Sequence, residues 1–362
     1  MSNLVIAAGG TGGHLFPGLA VGEVLLGRGH QVMLIVSEKE IDAVATQGRT
    51  GFRIEKVPGV GLQGKSPAAL LKFALRFRAG LAQCQRLYAG FQPAAVLGMG
   101  GFTSTAPILA GRKRGIATFI HESNAIPGKA NKLNGRLATR VLLGFAECAP
   151  HFPAGKCDVT GTPVRQSLAE RLEKTTALAK FSLTPERKTL LVMGGSQGAH
   201  GINQSLAAAL PQLRDASVQV IHFTGRDDER MMRESYAQAG LPAFVAAFYH
   251  RMEEAYSAAD VAIARSGAAS LTELSHFAIP SLLIPYPHAA ENHQTLNANI
   301  FERAGAAALL KESEITGEIL ASKLRWFFDD PARLADMSAR CRKLAPQHAA
   351  ERVAETILKA CG

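Results

Sequence analysis

The chain has 362 residues, 47% hydrophobic and 19% charged, which excludes wholesale disorder; 35 glycines without a strict period exclude collagen. At about 150 residues per domain the length points to two domains, each able to bury its own core. The formal +10 charge sits entirely in the first half: residues 1–163 carry 18 Lys and Arg against 8 Asp and Glu, and residues 164–362 carry 22 of each. That half calls for an anionic partner: nucleic acid, a phosphorylated substrate or an acidic membrane surface.

In chain order, Leu4–Ala8 predicts a short apolar strand, Gly9–Gly13 a loop, and Pro17–Arg28 a helix with proline near its first position. His30–Val36 is the next strand. Residues 66–86 read as a helix with Leu70, Phe73, Phe77 and Leu81 toward the core. Its Leu71 and Leu75 fall on another face, flanked by Lys72, Arg76 and Arg78. Residues 87–111 carry no charge, but five glycines and two prolines predict a loop between buried strands and not a membrane span. Strands follow at Ala94–Leu97 and Ala117–Ile120, with helices from about Ser104 and over Gly128–Leu137.

The pattern restarts after Thr162-Pro163. Thr189–Met193 is a strand feeding Gly194-Gly195-Ser196-Gln197-Gly198 and a helix, and Val218–Phe223, Val261–Ala264 and Ser281–Ile284 are later strands. Pro331–Cys361 reads as helical and able to pack on either domain. Short apolar strands alternating with helices predict two Rossmann-type doubly wound α/β domains. Ligands of such sheets sit beyond the carboxyl ends of the strands, so a cleft between the two sheets is the natural site. Five cysteines (Cys84, Cys148, Cys157, Cys341, Cys361) without C-x-x-C spacing argue against disulfides or structural zinc and for a reducing cytosol. No basic stretch or cleavage site precedes the first apolar run, so no signal peptide is read.

The loops carry the chemistry. Gly9-Gly10-Thr11-Gly12-Gly13-His14 lets backbone N–H groups approach an anion at a helix start. It is neither a dinucleotide fingerprint, since Leu15 stands where the third glycine belongs, nor a Walker A loop. His14 is a capping or packing histidine, or a general base kept neutral by the helix N-terminus. A second loop, Gly98-Met99-Gly100-Gly101-Phe102-Thr103, repeats the anion-cradle pattern. His121-Glu122-Ser123-Asn124 ends a strand and suits hydroxyl recognition or a loop–helix cap. Gly194–Gly198 also fits the G-x-S-x-G nucleophile elbow, with Ser196 as attacker and Asp260 and His288 or His293 in triad order. The elbow leaves the first 160 residues unexplained, and a phosphate cradle treats both halves alike. Ser270-Leu271-Thr272-Glu273 fits a capping box, with Glu273 as acceptor of a ribose diol the rival reading. His288 to Gln294 matches no zinc motif and Asp-x-Asp is absent, so no catalytic metal or cofactor is expected. The basic helix face at Lys72, Arg76 and Arg78 is a solvated surface or a membrane-interface strip. With 6% aromatics and one Trp, a nucleic-acid partner is disfavoured.

Taken together, Gly9–His14, Gly98-x-Gly100-Gly101-Phe102, His121-Glu122-x-Asn124-x-x-Pro127-Gly128, Gly194–Ala199, Arg265-Ser266-Gly267-Ala268 with Glu273, and Asn292-His293-Gln294 resemble one family, in its order. It is the MurG family of bacterial N-acetylglucosaminyltransferases, which convert lipid I to lipid II in peptidoglycan synthesis. The resemblance implies a GT-B fold, two Rossmann-like domains facing each other across a cleft. The N-terminal domain, residues 1–162, would take the acceptor and meet the membrane, with a C-terminal helix at about 341–362 packing back on it. Residues 163–340 would bind UDP-GlcNAc.

The donor contacts it implies are Thr11, Gly12, Gly13, Asn124, Arg165, Ser196, the backbone at Tyr249, Ala268, Ala269, Ser270, Leu271, Thr272, Glu273 and Gln294, with His293 the alternative sugar contact. Gly10, Gly100 and Gly101 would meet the acceptor diphosphate. His14 is the candidate base, with Glu122 its competitor. Partners would be UDP-GlcNAc, lipid I and the anionic inner face of the plasma membrane, in a peripheral protein that also meets cell-wall synthesis partners. Gly161-Thr162-Pro163 departs from the family's usual Gly-Asn-Pro. The other readings are a UDP-sugar 2-epimerase of the same architecture, the hydrolase built on Ser196, and a non-catalytic membrane scaffold.

Overall fold

The computed structural model describes residues 1–361 apart from 10–11, 39–49, 59–65, 196–197 and 215–216. Two compact units divide the chain: Met1–Arg165 with Pro346–Gly362, and Gln166–Ala345.

The first unit runs β1 (Asn3–Ala7), α1 (Gly12–Gly27), β2 (Gln31–Val36), β3 (Phe52–Lys56), α2 (Pro67–Phe91), β4 (Ala95–Gly98), α3 (Thr105–Lys113), β5 (Ala117–Glu122), α4 (Lys129–Leu137), β6 (Arg140–Leu143) and β7 (Cys157–Val159). The strands pair in parallel in the order β3-β2-β1-β4-β5-β6-β7. Strand residues alternate between the two faces of the sheet. Leu4, Ile6 and Ala8 pack with Leu15, Leu19 and Leu25 of α1. Val5 and Ala7 meet Cys84, Tyr88 and Phe91 of α2 and Ile108 of α3. Both faces are covered, which is why these strands read as unbroken apolar runs.

The second unit runs α5 (Lys174–Ala179), β8 (Lys188–Met193), α6 (His200–Ala209), β9 (Val218–Phe223), α7 (Glu229–Ala239), β10 (Ala243–Ala246), α8 (Met252–Ala258), β11 (Val261–Ala264), α9 (Ala268–Phe277), β12 (Ser281–Leu283), α10 (His293–Arg303), β13 (Ala307–Leu309), α11 (Gly317–Phe328) and α12 (Pro331–Lys343). Its parallel order is β10-β9-β8-β11-β12-β13. The last helix, α13 (Ala349–Lys359), returns to the first unit, where Val353, Ala354 and Ile357 join the core beside α1. The order in which strands are added to the sheet reverses between β1 and β4 in one sheet and between β8 and β11 in the other. Ligands of open α/β sheets bind at such switch points. The glycine loops follow these four strands or stand beside them.

Three expectations need correction. Helix α1 starts at Gly12, not Pro17, so the proline lies inside it. Glycines at 18 and 22 let this helix close on the sheet: a methyl on Gly18 would come within 2.6 Å of Ala8 Cβ. Leu70 does not face the core. It is 47% exposed, because α2 is anchored through Gly80, Cys84, Tyr88 and Phe91, while its first turns carry exposed apolar side chains. The terminal helical stretch is broken at residues 344–348, where His348 takes a left-handed φ of 53°.

Candidate active site

In the first unit, α1 begins directly at Gly12, so Gly12, Gly13 and His14 form its first turn, where backbone N–H groups lack helical partners. Gly10 and Thr11, with Ser196 of the second unit, lie outside the described residues. The loop after β4 comes to meet this turn. Gly100 and Gly101 have φ of 109° and 68°, a backbone that excludes most side chains. A methyl on Gly100 would lie 2.9 Å from His14 Cδ2 and Nε2 and 3.3 Å from Asn131 Nδ2. A methyl on Gly101 would lie 3.4 Å from His14 Nδ1. The imidazole thus rests against both glycines. Arg165 lays its guanidinium over the Phe16 ring of α1, 4.4 Å from the centroid.

The end of β5 supports that loop. The buried carboxylate of Glu122 accepts four N–H groups. Asn124 N and Nδ2 donate to Oε1 at 3.0 and 2.9 Å, and Gly128 N and Asn131 Nδ2 donate to Oε2 at 3.2 and 2.9 Å. Glu122 therefore ties the strand end to the start of α4 and holds both Asn124 and Asn131. His121 is also buried. Its Nε2 faces the Gly161 carbonyl at 3.0 Å, which can only accept, so Nε2 carries the proton and Nδ1 accepts from Ser123 Oγ at 3.3 Å. Burial holds His121 below the usual imidazole range, against the opposing pull of Gly161 O and Glu122.

In the second unit the turn after β8 carries Gly195 and Gly198 at φ of 89° and 75°. A methyl on Gly198 would sit 2.2 Å from the Thr224 carbonyl, so only glycine fits. That carbonyl accepts Asn203 Nδ2 at 2.9 Å, and the same nitrogen donates to Asp228 Oδ2 at 2.7 Å. Asn203 Oδ1 faces His222 Nε2 at 3.0 Å, and Tyr236 O–H faces His222 Nδ1 at 3.0 Å. An amide oxygen only accepts, so His222 is protonated on Nε2 and neutral. Burial lowers its pKa to about 3. His200 Nδ1 closes the chain on Asp228 at 2.8 Å. Sequence reading missed this network, which joins residues 200 to 236 through contacts no local spacing reveals.

Helix α9 starts at Ala268 behind Gly267, so Ser270 is its third residue and cannot be an N-cap; the capping-box reading is overturned. Glu273 stands in the second turn, its Oε2 accepting Tyr256 O–H at 2.7 Å. Ala268, Ala269 and Ser270 present the helix's first N–H groups, with Leu271 and Thr272 buried behind them. Gln294 Oε1 accepts Ser266 N at 3.2 Å and Tyr286 N at 2.9 Å, joining the loops after β11 and β12. His293 Nδ1 instead donates to Ala290 O at 2.7 Å. Arg265, beside them, forms a bidentate pair with Glu312 at 2.7 and 3.1 Å. Tyr249 turns inward, stacked on Phe223 at 5.3 Å and donating its hydroxyl to Glu254. Burial, with Glu254 next, pushes its phenol up to about 12.

The hydrolase triad fails on position. Asp260 precedes β11 and accepts Thr189 N at 2.8 Å and Lys174 Nζ at 2.6 Å, at the amino end of the sheet. The segment starting at Gly194 follows the carboxyl end of β8, about five residues or ~16 Å away along the strands.

On α2, Leu71 and Leu75 are 62% and 61% exposed among exposed Lys72, Arg76 and Arg78. Among the described residues no helix is long and apolar enough to cross a membrane.

Residues 4–143 match the glycosyltransferase family 28 N-terminal domain and residues 189–354 its C-terminal domain. The chain is 38% identical over 360 residues, 98% of each chain, to the UDP-N-acetylglucosamine–N-acetylmuramyl-(pentapeptide) pyrophosphoryl-undecaprenol N-acetylglucosamine transferase of Geobacter sulfurreducens. A crystal structure of MurG from Acinetobacter baumannii superposes with a TM-score of 0.80 at 28% identity, covering 99% of this chain and 100% of that one. A structure described as a UDP-N-acetylglucosamine 2-epimerase from Listeria monocytogenes reaches 0.68 at 11% identity over 97% and 94% of the two chains, a likeness of fold alone. The chain belongs to glycosyltransferase family 28 and, within it, to the UDP-N-acetylglucosamine–N-acetylmuramyl-(pentapeptide) pyrophosphoryl-undecaprenol N-acetylglucosamine transferases.

Proposed function

We propose that this enzyme moves N-acetylglucosamine from UDP-N-acetylglucosamine to the 4-hydroxyl of the N-acetylmuramyl sugar of lipid I, giving lipid II with a β-1,4 bond. The observation that carries the reading is relatedness to transferases of that name over the whole chain. Glu273 accepts the ribose diol, the backbone at Tyr249 meets the uracil, and Ser196 with the Gly194–Gly198 turn takes the diphosphate. Ala268–Thr272 and Gln294 contact the nucleotide sugar, joined by Thr11, Gly12, Gly13, Asn124 and Arg165. Gly10, Gly100 and Gly101 cradle the acceptor diphosphate. Support comes from the positive φ of Gly100, Gly101, Gly195 and Gly198, a geometry that bares backbone N–H groups to an anion.

The reaction is a direct displacement with inversion. As the acceptor oxygen attacks the anomeric carbon, His14 takes its proton. The carbon–oxygen bond to the diphosphate breaks and UDP leaves with the electron pair. Arg165 and the glycine-turn N–H groups stabilise the charge that develops on it. His14 is favoured over Glu122 because the Glu122 oxygens already accept four N–H donors. Glu122 is better suited to hold Asn124 and Asn131 than to receive a substrate proton.

The lipid acceptor needs a protein at the membrane surface. The apolar strip of Leu71 and Leu75 edged by Lys72, Arg76 and Arg78 suits peripheral contact with the anionic inner face of the plasma membrane. Incubating the enzyme with UDP-N-acetylglucosamine and a lipid I analogue tests the function. One UDP released per acceptor glycosylated supports it. UDP released with free N-acetylglucosamine, or conversion to the 2-epimeric sugar, overturns it.

A further inference from the structure

The carboxylate of a glutamate turns on a broad χ3 torsion, so a side chain meant to accept both hydroxyls of a diol must be fixed by something else. In this chain a tyrosine reaches the carboxylate. Tyr256 lies on α8, its side chain buried, its ring 5.2 Å from Phe277 of α9 and its hydroxyl 2.7 Å from Glu273 Oε2. The same hydroxyl lies 3.7 Å from Met193 Sδ, at the end of β8 where the glycine turn begins. A phenol donates one proton, and the carboxylate is the stronger acceptor of the two.

We propose that Tyr256 is a positioning residue that locks the plane of the Glu273 carboxylate for the ribose diol of the uridine nucleotide. The proposal rests on the reading of Glu273 as the ribose acceptor. Each carboxylate oxygen has two lone pairs, so Oε2 can take the phenol and still accept a ribose hydroxyl. A carboxylate already held in plane loses no torsional freedom when the nucleotide binds, which raises affinity without a new contact. The ribose is remote from the anomeric carbon, so the gain falls on donor binding and not on the chemical step.

The test titrates UDP and 2′,3′-dideoxy-UDP into the wild-type chain, Y256F and E273Q by calorimetry, with transfer kinetics alongside. Y256F keeps the ring in its packed place, and the preference for UDP over the dideoxy compound is taken within each variant, so a change in stability cancels. The wild type prefers UDP. Y256F weakens UDP binding about 3–10-fold while binding dideoxy-UDP as before. Its KM for the donor rises with kcat nearly unchanged. A Y256F preference equal to that of the wild type, with the preference lost in E273Q, overturns the role of Tyr256 and leaves that of Glu273 standing. A wild type that does not discriminate, or an E273Q that discriminates equally well, overturns the Glu273 reading and the proposal with it.

Discussion

The His14 ring and the backbone of Gly100 are packed so closely that one methyl group on Gly100 would come within 2.9 Å of both Cδ2 and Nε2. Gly100 also holds a φ of 109°, which a residue with a Cβ adopts only under strain. Gly100→Ala is therefore expected to push the imidazole out of place. Transfer should fall by about 10²-fold, as a 1 Å misplacement of a reacting group typically causes, while UDP binding holds. Wild-type turnover in this variant would mean that the position of His14 does not matter to the reaction.

Glu122→Gln tests the four-donor carboxylate. An amide offers one acceptor oxygen where four N–H groups now point, and its own N–H₂ meets donors. A stability loss of ~1–3 kcal/mol is expected from the groups left unpaired. Turnover should drop through displaced Asn124 and Asn131, with the shape of the pH–rate profile kept. A melting temperature equal to that of the wild type would contradict the network.

The strands and the positive-φ glycines were legible because they depend on neighbouring residues: a strand buried on both faces is an unbroken apolar run, and a tight bend after a strand draws a cluster of glycines. Boundaries set by packing were not. Pro17 looks like a helix start, yet α1 begins five residues earlier, at Gly12. Leu70 has core spacing, but α2 is anchored further along, from Gly80 onward. Ser270 and Glu273 imitate a capping box inside a helix that Gly267 precedes. The meeting of His14 with Gly100, the grip of Glu122 on Asn131 and the chain from His222 to Asp228 are long-range contacts. One sequence read by itself carries no signal for them.

His222 makes stability depend on pH. Its folded pKa is depressed to about 3 by burial, below the ordinary imidazole value of about 6.5 that holds in the unfolded chain. Below pH 6.5 the unfolded state therefore binds a proton that the folded state refuses. Stability from this group is complete above that pH and is lost as pH falls toward 3, by ~1.4 kcal/mol per unit. His222→Gln, which keeps one donor and one acceptor, should be less stable at pH 7.5 but lose less on going to pH 5. Urea midpoints of the two proteins that fall in parallel would contradict this.

The proposed membrane association should be salt-sensitive, since each cation near an anionic surface is worth ~1 kcal/mol. Replacing Lys72, Arg76 and Arg78 together with Gln should sharply reduce sedimentation with acidic vesicles while leaving the melting temperature near that of the wild type. Unchanged sedimentation would move the membrane-facing surface away from α2.

The central claim is that His14 receives the acceptor proton. Its most direct test is the pH dependence of kcat/KM for N-acetylglucosamine transfer in the wild type, His14→Ala and Glu122→Gln. The wild type should show an acidic limb, where protonation removes the base. His14→Ala should fold, bind UDP, lose about 10²–10⁴-fold in rate and lack that limb, while Glu122→Gln retains it. A limb that survives in His14→Ala and vanishes in Glu122→Gln would contradict the assignment.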